Sequence, residues 1–492
     1  MRWKPQFVLS ASLLFRRKMK NALRSCGATQ VESIMRISRD EVQSPRRKIP
    51  ELQFEDQSLT SYSGLVAFQA LFNALNLPER LRRCTEHLRS SAAYPPHRIV
   101  LLLTIHLVLG WRRLRDVDYY RDDPLVQRTL GLRKLPSVSA ISRALGQFDE
   151  RSYDQLRRLS RGLVLTRIKE EKLSTLTLDF DGSVLSTKGR GKEGTAIGYN
   201  HKKGQRSYYP LFATVAQTGQ VYDELHRAGN VHDSKGAWDF MRAVYEEVRR
   251  EGFRGRLEGR FDGAHFSQAT CLWLREEGIE FSVSVPFERL PNLKAKIESR
   301  QRWRTIDGEW SFFEDQWKPE SWFTSMRFIF YRHRVKKPKK GPIQLDFFEP
   351  VSREYEYKVV VTSKKTSAAN VLQFHNGRGS QEGLFAELKS HLGMEYMPSK
   401  TLIGNKIYRT SAVLAHNLNR ELQMQTAPRA ERSTTKRAAL WVFERIGTFR
   451  NRLIQRAGRL TRPGNVLTLT CSGNQKIAYE LTSLLSKFGV AI

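Results

Sequence analysis

His375-Asn376-Gly377-Arg378-Gly379-Ser380-Gln381-Glu382-Gly383-Leu384-Phe385-Ala386-Glu387-Leu388-Lys389 sets an arginine, a glutamate and a lysine at offsets of four and seven residues. A helix turns by about 100° per residue, so these offsets return to nearly one face. Arg378, Glu382 and Lys389 are therefore expected to project together, a carboxylate between two cations. Surface ion pairs add little to helix stability, so stability alone gives no reason for the arrangement. Glu387 lies about 140° round the helix from Glu382 and is expected to face elsewhere.

Upstream, Leu178-Asp179-Phe180-Asp181-Gly182-Ser183 and Arg260-Phe261-Asp262-Gly263-Ala264-His265-Phe266 are short apolar runs that each end in Asp-Gly. Strand periodicity puts Asp179 and Asp181 on one sheet face, so either could reach a metal. Asp181, at the strand's end with Gly182-Ser183 behind it, is the preferred acid; Asp179 fits a supporting, hydrogen-bonded role. Asp262 closes a strand running from Arg256 to Phe261. An Asp in such a place is also an ordinary turn former or helix cap, so neither motif says much alone. Together, two Asp and one Glu can hold divalent ions. Mg²⁺ takes oxygen ligands and leaves positions open to water and phosphate oxygens. A pair of such ions roughly 4 Å apart can activate a nucleophile and stabilise a leaving oxygen, which points to phosphoryl transfer on nucleic acid. That chemistry needs no histidine, and His201, His265 and His375 read as hydrogen-bonded structural residues.

The chain carries 83 Lys and Arg against 50 Asp and Glu, a net charge of +33 with a pI near 10.2. Such a surplus attracts a polyanion, although charge alone leaves RNA, DNA and an anionic membrane surface open. No apolar run is long enough to cross a membrane; the one from Ile99 to Gly110 is interrupted by His106 and suits a buried helix. Four cysteines, Cys26, Cys84, Cys271 and Cys471, lack metal-ligand or redox spacing, which fits a reducing cytoplasm and no zinc site.

Composition and periodicity divide the chain into six parts. Residues 1–58 form a basic extension with no acid before Glu32; it reads as a disordered leader, a misplaced start or a transit peptide. Residues 59–172 read as helical. Within them Leu135 to Leu145 has a Pro and a possible Ser cap, and suits either the recognition helix of a DNA-binding unit, with Ser139, Ser142 and Arg143 toward DNA, or an ordinary amphipathic helix. Residues 173–286 alternate strands and helices, the mark of an α/β sheet. Residues 287–362 are strand-like and hold Trp303, Trp310, Trp317 and Trp322 among arginines and lysines, with the run Lys336 to Lys340. These rings suit base stacking or the core of a small β subdomain. Residues 363–425 are helical and carry Glu382; residues 426–492 are basic, with a short strand from Val466 to Thr470.

The three acids, in this order and spacing, resemble those of the DDE transposases of bacterial insertion sequences. The likeness is to the subgroup whose last acid lies in a Tyr-x2-Arg-x3-Glu-x6-Lys signature. Arg378, Glu382 and Lys389 match it, and His375 stands in the Tyr position. The resemblance spans Asp179 to Gln423 and includes the 120-residue gap between Asp262 and Glu382. It implies an α/β fold: an RNase H-like core in two parts (173–286 and 363–425), interrupted by a β-rich insertion (287–362) and preceded by a helical DNA-binding domain (59–172).

The resemblance further implies that Asp181, Asp262 and Glu382 ligate two Mg²⁺ (or Mn²⁺) ions while Arg378 and Lys389 hold phosphates. The activity would be cut-and-paste transposition: binding of terminal inverted repeats, metal-dependent cleavage and strand transfer into target DNA. In some relatives the second strand is cut through a hairpin and a Trp of the insertion holds a flipped base, for which Trp303, Trp310, Trp317 and Trp322 are the candidates here. The partners would be double-stranded DNA and a second copy of the chain, in the bacterial cytoplasm at the nucleoid and away from membranes. The competing readings are a catalytically silent DNA-binding protein of transposase descent and an RNase H-like DNA nuclease that does not join strands.

Overall fold

The computed structural model describes residues 52–89, 93–198, 204–232, 235–335, 355–430 and 434–490. The basic extension up to residue 51, His201 and the Lys336–Lys340 run lie outside the described residues. The chain divides into two units, Met1–Asp56 and Gln57–Ile492. Residues 52–56 of the first form no helix or strand, and every element below belongs to the second.

A short strand β1 (Leu59–Thr60) leads into six helices: α1 (Leu65–Ala74), α2 (Leu77–Thr85), α3 (Pro96–Val108), α4 (Pro124–Leu130), α5 (Val138–Leu145) and α6 (Glu150–Glu170). Their ends are written in the sequence. Asp123 caps α4 by accepting from Leu125 and Val126 N–H groups, with Pro124 in the first turn and Gly131 closing the helix at φ +63°. Ser137 caps α5, and Asp149 with Ser152 forms a reciprocal box at the start of α6. The apolar run suspected of being a buried helix is α3, buried almost throughout, and no described helix is long and apolar enough to cross a membrane.

The strand-rich part begins with β2 (Thr175–Gly182), β3 (Leu185–Thr187), β4 (Ala196–Ile197), β5 (Arg206–Tyr208), β6 (Leu211–Val215) and β7 (Gln220–Leu225). Gly219, at φ +60°, makes the β6–β7 turn that the sequence placed there. Then come α7 (Ala237–Arg250), β8 (Arg256–Phe261), α8 (Gln268–Glu276), β9 (Glu280–Ser284) and α9 (Pro291–Glu298). The insertion contributes β10 (Arg304–Thr305), β11 (Trp310–Trp317), β12 (Met326–Arg334) and β13 (Tyr355–Thr362). The rest is α10 (Ala368–Asn376), α11 (Ser380–Leu392), α12 (Leu402–Met424), α13 (Ile446–Phe449), β14 (Gly458–Thr461), β15 (Thr468–Cys471) and α14 (Gln475–Lys487).

One nine-stranded sheet organises the molecule, in the order β10-β11-β12-β13-β9-β8-β2-β6-β7. Strands β2, β8 and β9 run parallel, while β6 and β7 are antiparallel additions on the other side of β2. The order β7-β6-β2-β8-β9, with that mixture of directions, is an RNase H-like core. Alternation along β2 sorts its side chains: Leu176, Leu178 and Phe180 join Met241, Val244, Tyr245 and Val248 of α7 in one core. Asp179 and Asp181 are left to the other face, toward α10 and α11.

The insertion does not make a separate β subdomain. Strand β13 pairs antiparallel with β9, Val361 opposite Val283, so β13, β12 and β11 extend the core sheet itself. The open edge of β9 would otherwise present unpaired backbone groups. Phe328, Phe330, Val359 and Val361 continue the core beneath β2, and Ile329, Tyr331 and Val360 receive α10.

The helical region is likewise not closed on itself. Its core is continuous with α11, α12 and the C-terminal helices, and β1 pairs with β14, joining the two ends of this unit in one small sheet with β15. The short strand read near Val466 is β15; its partner β14, of the same length, was not read in the sequence. Helix α12 runs buried from Ile407 to Met424, and Asn417 both accepts from and donates to the Val221 backbone, closing the far edge strand β7.

Candidate active site at the ends of two parallel strands

Because β2 and β8 pair in parallel with Phe180 opposite Phe261, the next residue on each strand, Asp181 and Asp262, leaves the sheet at the same end. Asp262 also does the ordinary work of a turn former, its Oδ1 accepting from the Ala264 N–H at 3.1 Å. Arg378 donates from Nη1 to Asp181 Oδ2 at 2.8 Å. Burial pushes the Asp181 carboxyl up to about 6, against the opposing pull of Arg378 and with a further push from the negative Asp262. The two acids thus sense each other in a buried site.

Asp179, two residues back on the same face, has a different task. Arg260 grips it with Nε at 2.5 Å and Nη2 at 2.6 Å, and the two side chains are 1% and 0% exposed. The remaining Arg260 nitrogen, Nη1, donates to the Phe374 and Lys436 carbonyls. This explains Gly377 in the decisive stretch, since a Cβ there would lie 2.0 Å from Arg260 Nη1. With Asp179 committed to a buried ion pair, Asp181 is the acid of β2 that remains partly open, at 22% exposure.

The Arg-Glu-Lys face is not one uninterrupted helix. Helix α10 ends at Asn376, a tight turn spans Gly377–Gly379, and α11 starts at Ser380. Arg378 sits in the turn and reaches Asp181, whereas Glu382 is exposed in the first turn of α11 and Lys389 is half-buried in its last. Among the described residues no three His, Cys, Asp or Glu side chains are gathered tightly enough to hold a metal ion. The strands therefore bring two of the three predicted acids to one end of the sheet, and Glu382 lies exposed at the start of the helix that docks there. That helix buries Gln381, Leu384, Phe385 and Leu388 among others, with Gln381 donating to the Asp179 carbonyl. Glu387 does face elsewhere, buried and paired with Arg420.

His375 holds the Tyr position in a wholly structural way. Its ring lies buried between the Ser282 and Ser284 hydroxyls, each 2.9 Å from a ring nitrogen. Burial and the nearby Lys358, Arg378 and Arg260 keep its pKa well below the usual histidine value, so the ring is neutral. His265 is buried beside Asp262.

The four tryptophans are built into packing. Trp303 meets Phe313 and Tyr357 and lies under Arg332; Trp310 packs on Tyr331 and His333; Trp317 meets Phe328; Trp322 is buried and stacked on Phe266. Among the described residues of this segment, Phe323 is left in solvent, 77% exposed, and nothing in the sequence distinguished it. On α5, Ser139, Ser142 and Arg143 are exposed while Ile141 and Leu145 are buried, so the face suggested for DNA is free to meet it.

Residues 43–489 match a family described as Transposase DDE domain group 1. The chain belongs to that family. A search of curated proteins returns no match. Among solved structures it is similar to the piggyBac transposase in a synaptic complex with hairpin DNA, at 12% identity and TM-score 0.35, with 79% of each chain covered. It is also similar to the Mos1 transposase in a paired-end complex with the left transposon end, at 12% identity and TM-score 0.16 over 40% of this chain and 60% of that one.

The donor set fits hard cations. Asp181 and Asp262, leaving neighbouring parallel strands at the same end, offer the carboxylate oxygens that such ions take.

Proposed function

We propose that this DDE transposase mobilises an insertion sequence by cut-and-paste: it binds terminal inverted repeats, cleaves the DNA at the element ends and joins the freed 3′ ends to target DNA. The observation that carries the reading is the convergence of Asp181 and Asp262 at the ends of β2 and β8, with Arg378 delivered to them by the segment that also bears Glu382. Asp181, Asp262 and Glu382 would hold the divalent ions, two Mg²⁺ or Mn²⁺. Bound there, the ions supply Lewis-acid activation of a water or 3′-hydroxyl and stabilise the leaving oxygen. Arg378 offers a planar fork to a phosphate near the scissile bond and Lys389 a point charge. The exposed face of α5, with Ser139, Ser142 and Arg143, reads the repeat, the basic surface holds the duplex, and two copies act together on paired ends.

The test is incubation of the protein with DNA bearing the element's own ends and Mg²⁺. Cleavage followed by joining to a target plasmid supports the reading, and cleavage without joining reduces it to a nuclease. The exposure of Glu382 at the start of α11 favours a second reading, a transposase-derived protein that grips DNA without cutting it. End binding with no cleavage in Mg²⁺ or Mn²⁺ is its signature.

A further inference from the structure

The register of the sheet fixes which side chains share the end where Asp181 and Asp262 lie. Phe180 of β2 stands opposite Phe261 of β8, Phe261 opposite Val283 of β9, and Val283 opposite Val361 of β13, and all four join the core that holds α7. One residue nearer that end, on the other face, come Asp181, Asp262, Ser284 and Val360. Strand β13 runs antiparallel to β9, so moving toward the same end means counting down its numbers, and two residues beyond Val360 on that face is Lys358. The insertion thus delivers a lysine to the face and the end of the sheet that the acids occupy, two strand spacings or roughly 10 Å from β8.

The surroundings of Lys358 leave its charge unanswered. The ammonium donates to Asn376 Oδ1 at 2.8 Å, and Asn376, the last residue of α10, stands two before Arg378. One short segment therefore orients both cations. Arg378 is paired with Asp181 and Arg260 with Asp179, whereas Lys358 makes no ion pair among the described residues and meets in Asn376 a neutral acceptor. Partial burial, with the like charge of Arg378 adding to it, lowers the Lys358 pKa. A cation also suits the negative end of α10, a role that would show in stability alone. A half-buried ammonium beside a second cation gains more from an anionic oxygen than from a neutral one.

We propose that Lys358 binds a DNA phosphate flanking the one at which the strand is cut, so that the strand crosses the end of the sheet from β2 and β8 toward β13. This rests on the reading above, in which the two Asp act on DNA, and it gives the inserted strands a part in the site.

The test is binding of duplex DNA carrying the element's own end, with the phosphates around that end replaced one at a time by uncharged methylphosphonates and with Ca²⁺, another oxygen-liganded cation, in place of Mg²⁺. Lys358→Gln keeps a donor for Asn376 and removes the charge; Lys358→Arg keeps the charge. The expected result is one position beside the cut at which wild type and Lys358→Arg lose roughly tenfold in affinity, while Lys358→Gln, already weaker on unmodified DNA by a like factor, loses nothing further. A wild-type profile with no sensitive position beside the cut overturns the proposal without any variant. So does a profile that Lys358→Gln shares with the wild type, and so does a lowered unfolding midpoint with unchanged DNA affinity, which would assign Lys358 to α10 alone. Cutting in Mg²⁺ is scored separately, so failure of the transposase reading is seen apart from failure of this contact.

Discussion

Asp179 and Asp181 share a strand and a sheet face, yet burial and pairing assign them opposite fates. Replacing Asp179 with Asn leaves Arg260 a buried cation without its counter-charge, a change that costs about 3–5 kcal/mol. Denaturant unfolding should show that loss for Asp179→Asn and no comparable loss for Asp181→Asn. The pH dependence of Asp181 follows from its raised pKa. The folded carboxyl holds its proton up to about pH 6, whereas the unfolded one releases it near 3.8. Folding therefore binds a proton between those values, and this group's contribution is fully present below pH 3.8 and lost as pH rises through 6. Two units correspond to roughly 3 kcal/mol, and partial exposure reduces this to on the order of 2 kcal/mol. In EDTA, the stability of Asp181→Asn relative to wild type should rise by that amount between pH 4 and pH 7; a flat difference would contradict the assignment. The Asp-Gly endings were legible because a strand that stops in Asp-Gly has a recognisable pattern. Arg260 was not, since its partnership with Asp179 exists only once β2 and β8 are in parallel register.

Among the elements, those with local signals were readable and those defined by partners were not. Helix α5 shows its cap and its alternation in the sequence, and the structure exposes the face expected. Its role in DNA binding should show as a roughly tenfold weaker repeat affinity in Arg143→Ala, with the log–log salt slope reduced by about one and the unfolding free energy changed by less than about 0.5 kcal/mol. A loss of stability with unchanged DNA affinity would return α5 to the status of a structural helix. The inserted strands were visible as strands, but their alternating Trp, Phe and Val could not reveal that β13 would join β9 and lengthen the core sheet. Helix α12 was legible only as helix. Its Arg409, Asn417 and Arg420 look like surface residues in the sequence, and each is buried against a partner contributed by another element, namely Glu224, Val221 and Glu387. The Arg-Glu-Lys face was read as one straight helix; a single 3₁₀ turn at Gly377–Gly379 joins α10 to α11 and carries Arg378, whose guanidinium reaches Asp181.

For the molecule as a whole, the five sequence segments that follow the basic extension fold into one interlocked unit. Glu258, fully buried at the heart of the sheet, is held by Lys364 from beyond the insertion and by Arg437 from the C-terminal region, an arrangement no segment could show alone. Arg437→Ala should therefore destabilise the catalytic core, by on the order of 2–3 kcal/mol in denaturant unfolding, although it lies far along the chain from Asp181 and Asp262. A charge of +33 predicts DNA binding that weakens steeply between about 50 and 200 mM salt for any sequence, with repeat recognition as a smaller difference on top. We propose that Glu382, exposed on α11, completes the site begun by Asp181 and Asp262. The most direct measurement is Mg²⁺-dependent cleavage of element-end DNA by Glu382→Gln beside the wild type, with end binding followed in the same samples. The account predicts cleavage by the wild type, none by the variant, and equal end binding by both; cleavage at the wild-type rate by the variant would contradict it.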